Sequence, residues 1–365
     1  MESRFITFKF DYSKTKHLPR EAAVPCRNFI SAAGHAWEIV CLRGGGGHHW
    51  EIVSLPGDCP VSKGKPKPAV KAIFFKALVI GADGAPASLS GGIRWSEHRV
   101  TYLPTGDGDD DGPPTIRCLG GWFDFEFFSR RELESDGYLI DGCFTFMCGI
   151  TVLHDDDGDD GRGPAVPWSY SYSDDGDGSD VSFSVGGETF RLHRAVLAAS
   201  SPVFRALLFG SMAEATMDRV TLHDIQPAAF RVLLRFVYTD ALPADTELER
   251  SSSPSSVAEL LRHLVAVADM YDVDGLKLAC SQKLCDHVSP ETVGAVLACA
   301  ESHDCPELKK RCIDFYVDNF RDLVLNDEYL RLLQRFPSIV HEIKAKCHKK
   351  RKPNTRCYGP EWDNS

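Results

Sequence analysis

The sequence predicts a multidomain protein: an antiparallel β-sandwich, then a small α/β domain, then paired C-terminal helices. Three observations lead to this prediction. Short apolar segments separated by Gly- or Pro-rich stretches fill residues 1–153, which is typical of a sandwich. An acidic linker rich in Gly and Ser follows at 154–179 and is too polar to bury a core. Beyond it, the apolar residues change from strand spacing to helical spacing.

The sandwich region contains five predicted strands, near residues 5–10, 37–42, 50–55, 72–80 and 143–153. Two of them share a pattern, because HAWEIVCL, beginning at His35, recurs as HHWEIVSL, beginning at His48. Two copies are too few for a repeat protein. We therefore expect two neighbouring strands joined by a turn at residues 44–47.

The α/β domain is predicted over residues 180–243. The alternating segment VSFSV, the pair Gly186 and Gly187, and a second alternating segment predict a β-hairpin. Helical spacing follows, and Pro227 lies in the first turn of one predicted helix. His193 is expected to begin a helix and to hydrogen-bond locally, without a catalytic role.

The C-terminal part is predicted to consist of a loop at 244–256, paired amphipathic helices over 257–343 and a basic disordered tail at 344–365. Ser289 and Pro290 are predicted as the N-cap and first residue of one helix. Basic residues near 348–352 would suit nuclear import, although a solvated tail explains them equally well.

Composition excludes several classes of protein. The net charge of -11 argues against a general nucleic-acid binder, and no apolar stretch is long enough to predict a membrane span. The thirteen cysteines include no C-x2-C pair and are interpreted as reduced thiols. The loosest cluster, Cys299, His303, Cys305 and Cys312, lacks zinc-site spacing. We expect no metal and no cofactor, and a location in the nucleus or cytoplasm.

Catalytic motifs do not account for the chain either. It has no G-x-S-x-G, no metal-spaced His pair and no phosphate-binding glycine loop ending in Lys-Ser/Thr. We predict an interaction protein without catalytic residues.

The region 180–243 closely resembles a BTB (POZ) domain. The resemblance rests on DVSFSVGGETFRLHRAVLAASSPVFRALLFG followed by VTLHDIQPAAFRVLLRFVYTDALP, two long segments in the family's order. The first 153 residues are similar to a MATH (TRAF-like) domain, chiefly in AGHAWEI, VKAIFF and the stretch 122–153. This layout resembles that of plant-type MATH-BTB proteins, which act as substrate adaptors of cullin-3 ubiquitin ligases.

The resemblance implies two binding sites. The hydrophobic-x-Glu motif that faces the cullin matches Met212 and Glu214 in this sequence. We predict that the target segment lies against aromatic residues of the MATH groove, namely Phe74 and Trp122, with Phe123 or Phe125 nearby. A position in the sandwich core explains each of these aromatics at least as well. One departure is Asp124, because the family has an apolar residue there.

The resemblance also implies protein targets with short linear segments and a homo-oligomer formed through the BTB domain. An amphipathic helix that precedes the BTB strand in many relatives has no counterpart in the acidic linker. The alternative function is a BTB-dimerising scaffold or transcriptional regulator that does not bind a cullin.

Overall fold

The computed structural model describes residues 2–15, 23–32, 35–43, 48–54, 70–87, 138–154, 178–211, 213–243, 248, 257–324 and 327–351. The chain divides into two compact units, Met1–Ala241 and Leu242–Ser365. Within the described ranges, no helix has the length and apolar character needed to span a membrane.

The N-terminal part contains six described strands and one short helix. In chain order they are β1 Glu2–Asp11, α1 Tyr12–Thr15, β2 Ala23–Ala32, β3 His35–Arg43, β4 His48–Ser54, β5 Val70–Ile80 and β6 Cys143–His154. They form two three-stranded antiparallel sheets, with strand orders β1-β6-β5 and β2-β3-β4. Strand β2 lies close to β1 and β6, so the two sheets adjoin.

All five predicted strands of this region are present, and the repeated pattern forms the adjacent strands β3 and β4. Strand β2 was not predicted. Its sequence includes Pro25, which lacks a backbone N–H, and the pairing of β2 with β3 shifts register between Val24 and Arg27. Proline is tolerated at such an irregularity on an edge strand, and the alternation that would reveal the strand is lost there.

Strand β6 is buried on both faces over much of its length. Phe144, Phe146, Cys148 and Ile150 lie on one face and are buried, and Met147 and Thr151 on the other face are buried as well. Gly149 lies under the ring of Phe5, since a Cβ there would approach that ring to 2.3 Å. The missing side chain therefore allows the aromatic ring of β1 to cross its neighbouring strand.

The α/β domain begins with the predicted hairpin. Its elements are β7 Val181–Val185, β8 Glu188–Leu192, α2 Arg194–Ser200, α3 Pro202–Phe209, a 3₁₀ turn Ala213–Thr216, β9 Arg219–Leu222 and α4 Pro227–Thr239. Gly186 and Gly187 have φ of 55° and 87°, the positive values of a tight hairpin turn. β7 pairs antiparallel with β8 and parallel with β9, so α2 and α3 form the crossover.

Aromatic rings fill the core of this domain. Phe183 on β7 contacts Phe204 of α3 edge-on, with ring centroids 5.8 Å apart, and Phe230 of α4 at 6.0 Å. Phe190 of β8 contacts Phe230 at 5.1 Å. Because each ring comes from a different element, this cluster fixes the sheet against its helices.

The second unit is helical over its described residues. Its α-helices are α5 Val257–Met270, α6 Asp274–Leu284, α7 Val293–Ser302, α8 Pro306–Asp318, α9 Phe320–Leu323, α10 Asp327–Arg335 and α11 Pro337–Arg351. Helix α5 packs against α6 and α7, and α8 packs against α7 and α11. The buried residues of α7 include Val293, Val296, Leu297 and Ala300.

Two boundaries differ from the prediction. Helix α7 begins at Val293, three residues later than expected from Ser289 and Pro290, because Thr292 bonds back to the carbonyl of His287 at 2.7 Å and residues 290–292 form a turn. The basic segment predicted as tail from residue 344 is helical as far as Arg351. Buried Ile339, Val340 and Ile343 anchor this helix, and cations near a helix C-terminus are favourable.

Candidate partner-binding loop

The candidate loop comprises residues 210–217 between α3 and β9. Helix α3 is fixed at its start, where the buried Ser201 Oγ accepts a 3.0 Å hydrogen bond from the backbone N–H of Phe204. It ends at Gly210, whose N–H donates to the carbonyl of Ala206 at 3.0 Å. A Cβ at Gly210 would lie 2.2 Å from that oxygen, so the chain can leave the helix in this direction because residue 210 is glycine.

Glu214 lies in the 3₁₀ turn of this loop and is partly exposed. The turn is closed by a 3.1 Å bond from the N–H of Met217 to the carbonyl of Glu214. Thr216 Oγ1 donates to the carbonyl of Ala213 at 3.0 Å. These bonds order the backbone of the turn without using the carboxylate of Glu214. Met212, the other predicted cullin-facing residue, lies outside the described residues.

Arg194 at the start of α2 holds the loop in place. Its Nη1 donates to the carbonyls of Ala215, at 2.8 Å, and Leu208, at 3.3 Å, and its Nη2 donates to the carbonyl of Met217. The backbone N–H of Arg194 donates to Asp180 Oδ1 at 2.7 Å. A single planar guanidinium therefore ties the end of α3 and the 3₁₀ turn to the start of the domain.

One large apolar side chain of the loop is exposed, since Met217 after the turn is 45% exposed. Val203, near the start of α3, is 39% exposed. Sequence reasoning missed Arg194, Val203 and Met217. The sequence does not reveal which single apolar residues are exposed. The His-Arg pair at the start of α2 is part of the BTB pattern, but that pattern does not reveal which carbonyls the arginine reaches.

The side chains of the predicted target-binding aromatics lie outside the described part of the chain. Phe74 lies on β5, where its backbone is paired with Thr151 of β6, but its side chain is outside the described part of the chain. Trp122, Phe123 and Phe125 also fall outside the described residues. The target-binding assignments therefore remain predictions.

His193 is part of the core and not of an open site. It immediately precedes α2, as predicted, and its carbonyl accepts a local 3.2 Å bond from the backbone N–H of Leu197. Tyr238 Oη lies 2.9 Å from Nδ1 of His193 and accepts a 3.2 Å bond from the backbone N–H of the same residue. The histidine is buried, and the ring of Phe5 lies 4.5 Å away, centroid to centroid. The local bond is accompanied by long-range bonds to Tyr238, because α4 brings the tyrosine back across the domain.

The thiols of the second unit lie in helix interfaces. Burial raises the pKa of Cys280 and Cys312 to about 12 and that of Cys299 to about 11, so these groups are protonated at neutral pH. Across the described ranges, no group of three His, Cys, Asp or Glu side chains is arranged to hold a metal ion.

Comparison with known proteins identifies two domains. The BTB/POZ domain family model matches residues 170–288, and the BACK domain model of the BPM/SPOP type matches residues 292–344. BTB/POZ and MATH domain-containing protein 3 of Arabidopsis thaliana is 34% identical over 244 residues, which cover 64% of this chain and 60% of that protein. The corresponding protein 4 of the same plant is 33% identical over 246 residues, 64% of this chain and 53% of that protein.

Among solved structures, the BTB domain of zebrafish PATZ1 is 26% identical and covers 32% of this chain and 81% of its own, with a TM-score of 0.24. The present chain thus spans between about half and two thirds of the length of the curated relatives described above.

Proposed function

Because this chain is a BTB/POZ protein with a BACK domain of the BPM/SPOP type, related to the plant BTB/POZ and MATH domain proteins, we propose that it is a substrate-recognition adaptor of a cullin-3 ubiquitin ligase. The observation that carries the proposal is the loop 210–217. Its backbone is fixed by Arg194 while Glu214 stays accessible. A preordered loop loses little conformational entropy when a partner binds.

The loop has the chemistry of a small docking surface. Exposed Met217 offers apolar contact, Met212 would add a flexible thioether, and Glu214 can pair with a basic group of the partner. Apolar anchors with a charged neighbour are the usual arrangement of an interface centre and its rim. We assign Met212 and Glu214 to cullin binding, with the helices over 257–343 extending that surface.

The N-terminal part is proposed to be a MATH/TRAF-like sandwich that binds the target. The plant relatives match 64% of the chain, a larger share than residues 170–365 can supply, so the similarity extends into the region before the BTB domain. Two adjoining antiparallel sheets in this region suit a sandwich. Phe74, Trp122, Phe123 and Phe125 are proposed to line the groove for a short, extended target segment.

The proposed adaptor has no chemical step of its own. Holding a target and a ligase scaffold on one chain raises the local concentration of the target near the charged ubiquitin enzyme. The bonds that form and break in ubiquitin transfer then belong to the partner enzymes. We further propose a homo-oligomer formed through the BTB domain, acting in the nucleus or cytoplasm.

The proposal can be tested by measuring the mass of the complex in solution. The full chain is mixed with the N-terminal domain of cullin-3 and examined by size-exclusion chromatography with light scattering. The adaptor function predicts co-elution and a mass containing at least two copies of each protein. If the folded chain elutes as a homodimer without any bound cullin, the ligase function is wrong and the scaffold function takes its place.

A further inference from the structure

One face of the first sheet, β1-β6-β5, lies against the helices of the α/β domain. Strand β5 packs on α2 and α4, and these elements belong to the same compact unit. The two parts are separated in sequence by the acidic segment 154–179, which on composition alone would serve as a free tether. The two parts are nevertheless joined by specific contacts.

The first contact is aromatic. Phe5 of β1 lies 4.5 Å from the ring of His193 and 5.8 Å from the ring of Tyr238, measured between centroids. All three side chains are buried, with 3% of each exposed. His193 and Tyr238 are also hydrogen-bonded to each other, so Phe5 covers a rigid polar pair and shields it from water.

The second contact is made by a lysine. Lys76 on β5 is only 3% exposed, and its Nζ donates a hydrogen bond to the carbonyl of Val237. Val237 lies in the last turn of α4, where carbonyls lack partners within the helix and carry partial negative charge. Asp240, the C-cap residue in the left-handed conformation, adds a carboxylate that interacts with the same ammonium group. Lys76 thus caps a helix that belongs to another domain.

The chain also approaches itself closely at two glycines. A Cβ at Gly178, just before β7, would lie 2.6 Å from the carbonyl oxygen of Phe5. A Cβ at Gly84, in the loop after β5, would lie 4.0 Å from the ring of Phe209 at the end of α3. The contact therefore extends from the start of the α/β domain to the end of α3 and involves more than a single side chain.

We propose that the first sheet is docked on the BTB domain as one body with it, and that Lys76 fixes this docking by capping the C-terminus of α4. Burying a lysine ammonium group costs free energy unless hydrogen-bond acceptors surround it. Orientations of the sheet that do not place Nζ at the end of α4 are therefore disfavoured. The lysine thereby selects one orientation of the N-terminal part. This inference goes beyond the adaptor function, since the docking requires neither a cullin nor a target.

The test compares two charge reversals in the full chain, Lys76→Glu and Lys9→Glu. Lys9 is an exposed residue of β1 in the same sheet and gives the matched change in charge. Hydrogen exchange, followed by mass spectrometry, reports on the last turn of α4, including the N–H of Asp240 that donates to Phe236 at 2.7 Å. We expect Lys76→Glu to accelerate exchange in that turn by about tenfold or more, because it sets a carboxylate against a carbonyl, and Lys9→Glu to leave it unchanged.

A second variant, Lys76→Met, keeps the proposal testable if the charge reversal prevents folding. Methionine fills the same volume without an ammonium group, so we expect this variant to fold, to lose the cap and to exchange faster than wild type in the last turn of α4 while exchange in β7 is unchanged. Equal exchange of that turn in wild type, Lys76→Met and Lys9→Glu would overturn the proposal. So would exchange of β5 in the wild-type chain at the rate of an unprotected peptide.

Discussion

The Nη1 atom of Arg194 lies 2.8 Å from the carbonyl oxygen of Ala215, twenty-one residues further along the chain. This bond joins the first residue of α2 to the turn that carries Glu214. Because the other guanidinium bonds go to the carbonyls of Leu208 and Met217, the side chain spans both ends of the candidate loop. The loop can therefore be weakened without touching any residue that would contact a partner.

Arg194→Ala is expected to lower the free energy of unfolding by about 1–3 kcal/mol, because the carbonyls of Leu208, Ala215 and Met217 lose this donor. It should also accelerate hydrogen exchange in residues 213–217. Urea denaturation and hydrogen exchange measure both effects. Arg205→Ala is the matched control, since Arg205 is a partly exposed arginine of α3.

Arg194→Lys separates geometry from charge. A lysine keeps the positive charge but cannot reach several carbonyls with one planar group, so we expect most of the loss seen in Arg194→Ala. Full retention of stability in Arg194→Lys would show that charge alone, and not the fork of the guanidinium, holds the loop.

Tyr238→Phe is expected to cost about 1–3 kcal/mol of folding free energy. The substitution removes the oxygen that bonds the buried ring and the backbone N–H of His193. Thermal or urea unfolding measures the change.

Tyr329→Phe supplies the matched control within the same chain. Tyr329 is also buried, but its Oη has no hydrogen-bond partner in the part of the chain that the structure describes. Removing that hydroxyl is expected to be neutral or slightly stabilising. Equal destabilisation by the two Tyr→Phe variants would contradict the role given to the His193–Tyr238 pair.

Gly210→Ala is expected to disturb the candidate loop, because its Cβ would meet the carbonyl oxygen of Ala206 at 2.2 Å and the backbone would have to move. Gly187→Ala is a useful comparison. Its cost arises from a φ of 87° in the hairpin, with no neighbouring atom within 4 Å, and is on the order of 1–2 kcal/mol. Both variants should lose stability, but only Gly210→Ala should weaken binding of a partner to the loop, which a titration can measure.

The docking of the first sheet should depend on pH through Lys76. Burial lowers the pKa of this lysine from 10.5 to about 7, an effect that the nearby carboxylate of Asp240 only partly opposes. Below pH 7 the lysine is protonated in both the docked and the open chain, and the cost of burying the charge is fully present. As the pH rises from 7 towards 10.5, Lys76 is deprotonated in the docked form but still protonated in the open form. The docked form is therefore stabilised by about 1.4 kcal/mol for each pH unit in this range.

Stability should therefore increase between pH 7 and 9 in the wild-type chain relative to Lys76→Met, which has no such group. The quantity to compare is the free energy of unfolding of wild type minus that of Lys76→Met. Buried Cys280 and Cys312 have raised pKa values and therefore lower the stability of both proteins equally as the pH rises, so their effect cancels in this difference. Urea denaturation across this pH range measures the difference. If the stabilities of the two proteins change with pH in parallel, Lys76 does not cause the pH dependence.

Local sequence signals predicted much of the fold. The hairpin at Gly186 and Gly187 and the helix opened by Pro227 follow from the backbone preferences of those residues. Strand β2 was missed because Pro25 interrupts its alternation. The start of α7 was misplaced because the side chain of Thr292 competes for a backbone carbonyl.

The candidate site was only partly predictable. Glu214 could be identified from a resemblance between whole domains, which a short motif alone would not support. Arg194 and Lys76 could not, because their partners are carbonyl oxygens: the carbonyl of Met217 is 23 residues from Arg194 and that of Val237 is 161 residues from Lys76. Every residue has a carbonyl, so no sequence pattern marks the one that a distant cation will reach.

The most direct test of the adaptor function is a binding titration of the N-terminal domain of cullin-3 against the full chain and a Met212→Asp, Glu214→Ala double variant. Ile140→Asp, a change at a residue that is 40% exposed outside the loop, is the control. Loss of one good anchor costs about 2 kcal/mol or more, so the double variant should bind more than about tenfold weaker while Ile140→Asp binds like wild type. Equal binding by all three proteins, or no binding by the folded wild-type chain, would contradict the account.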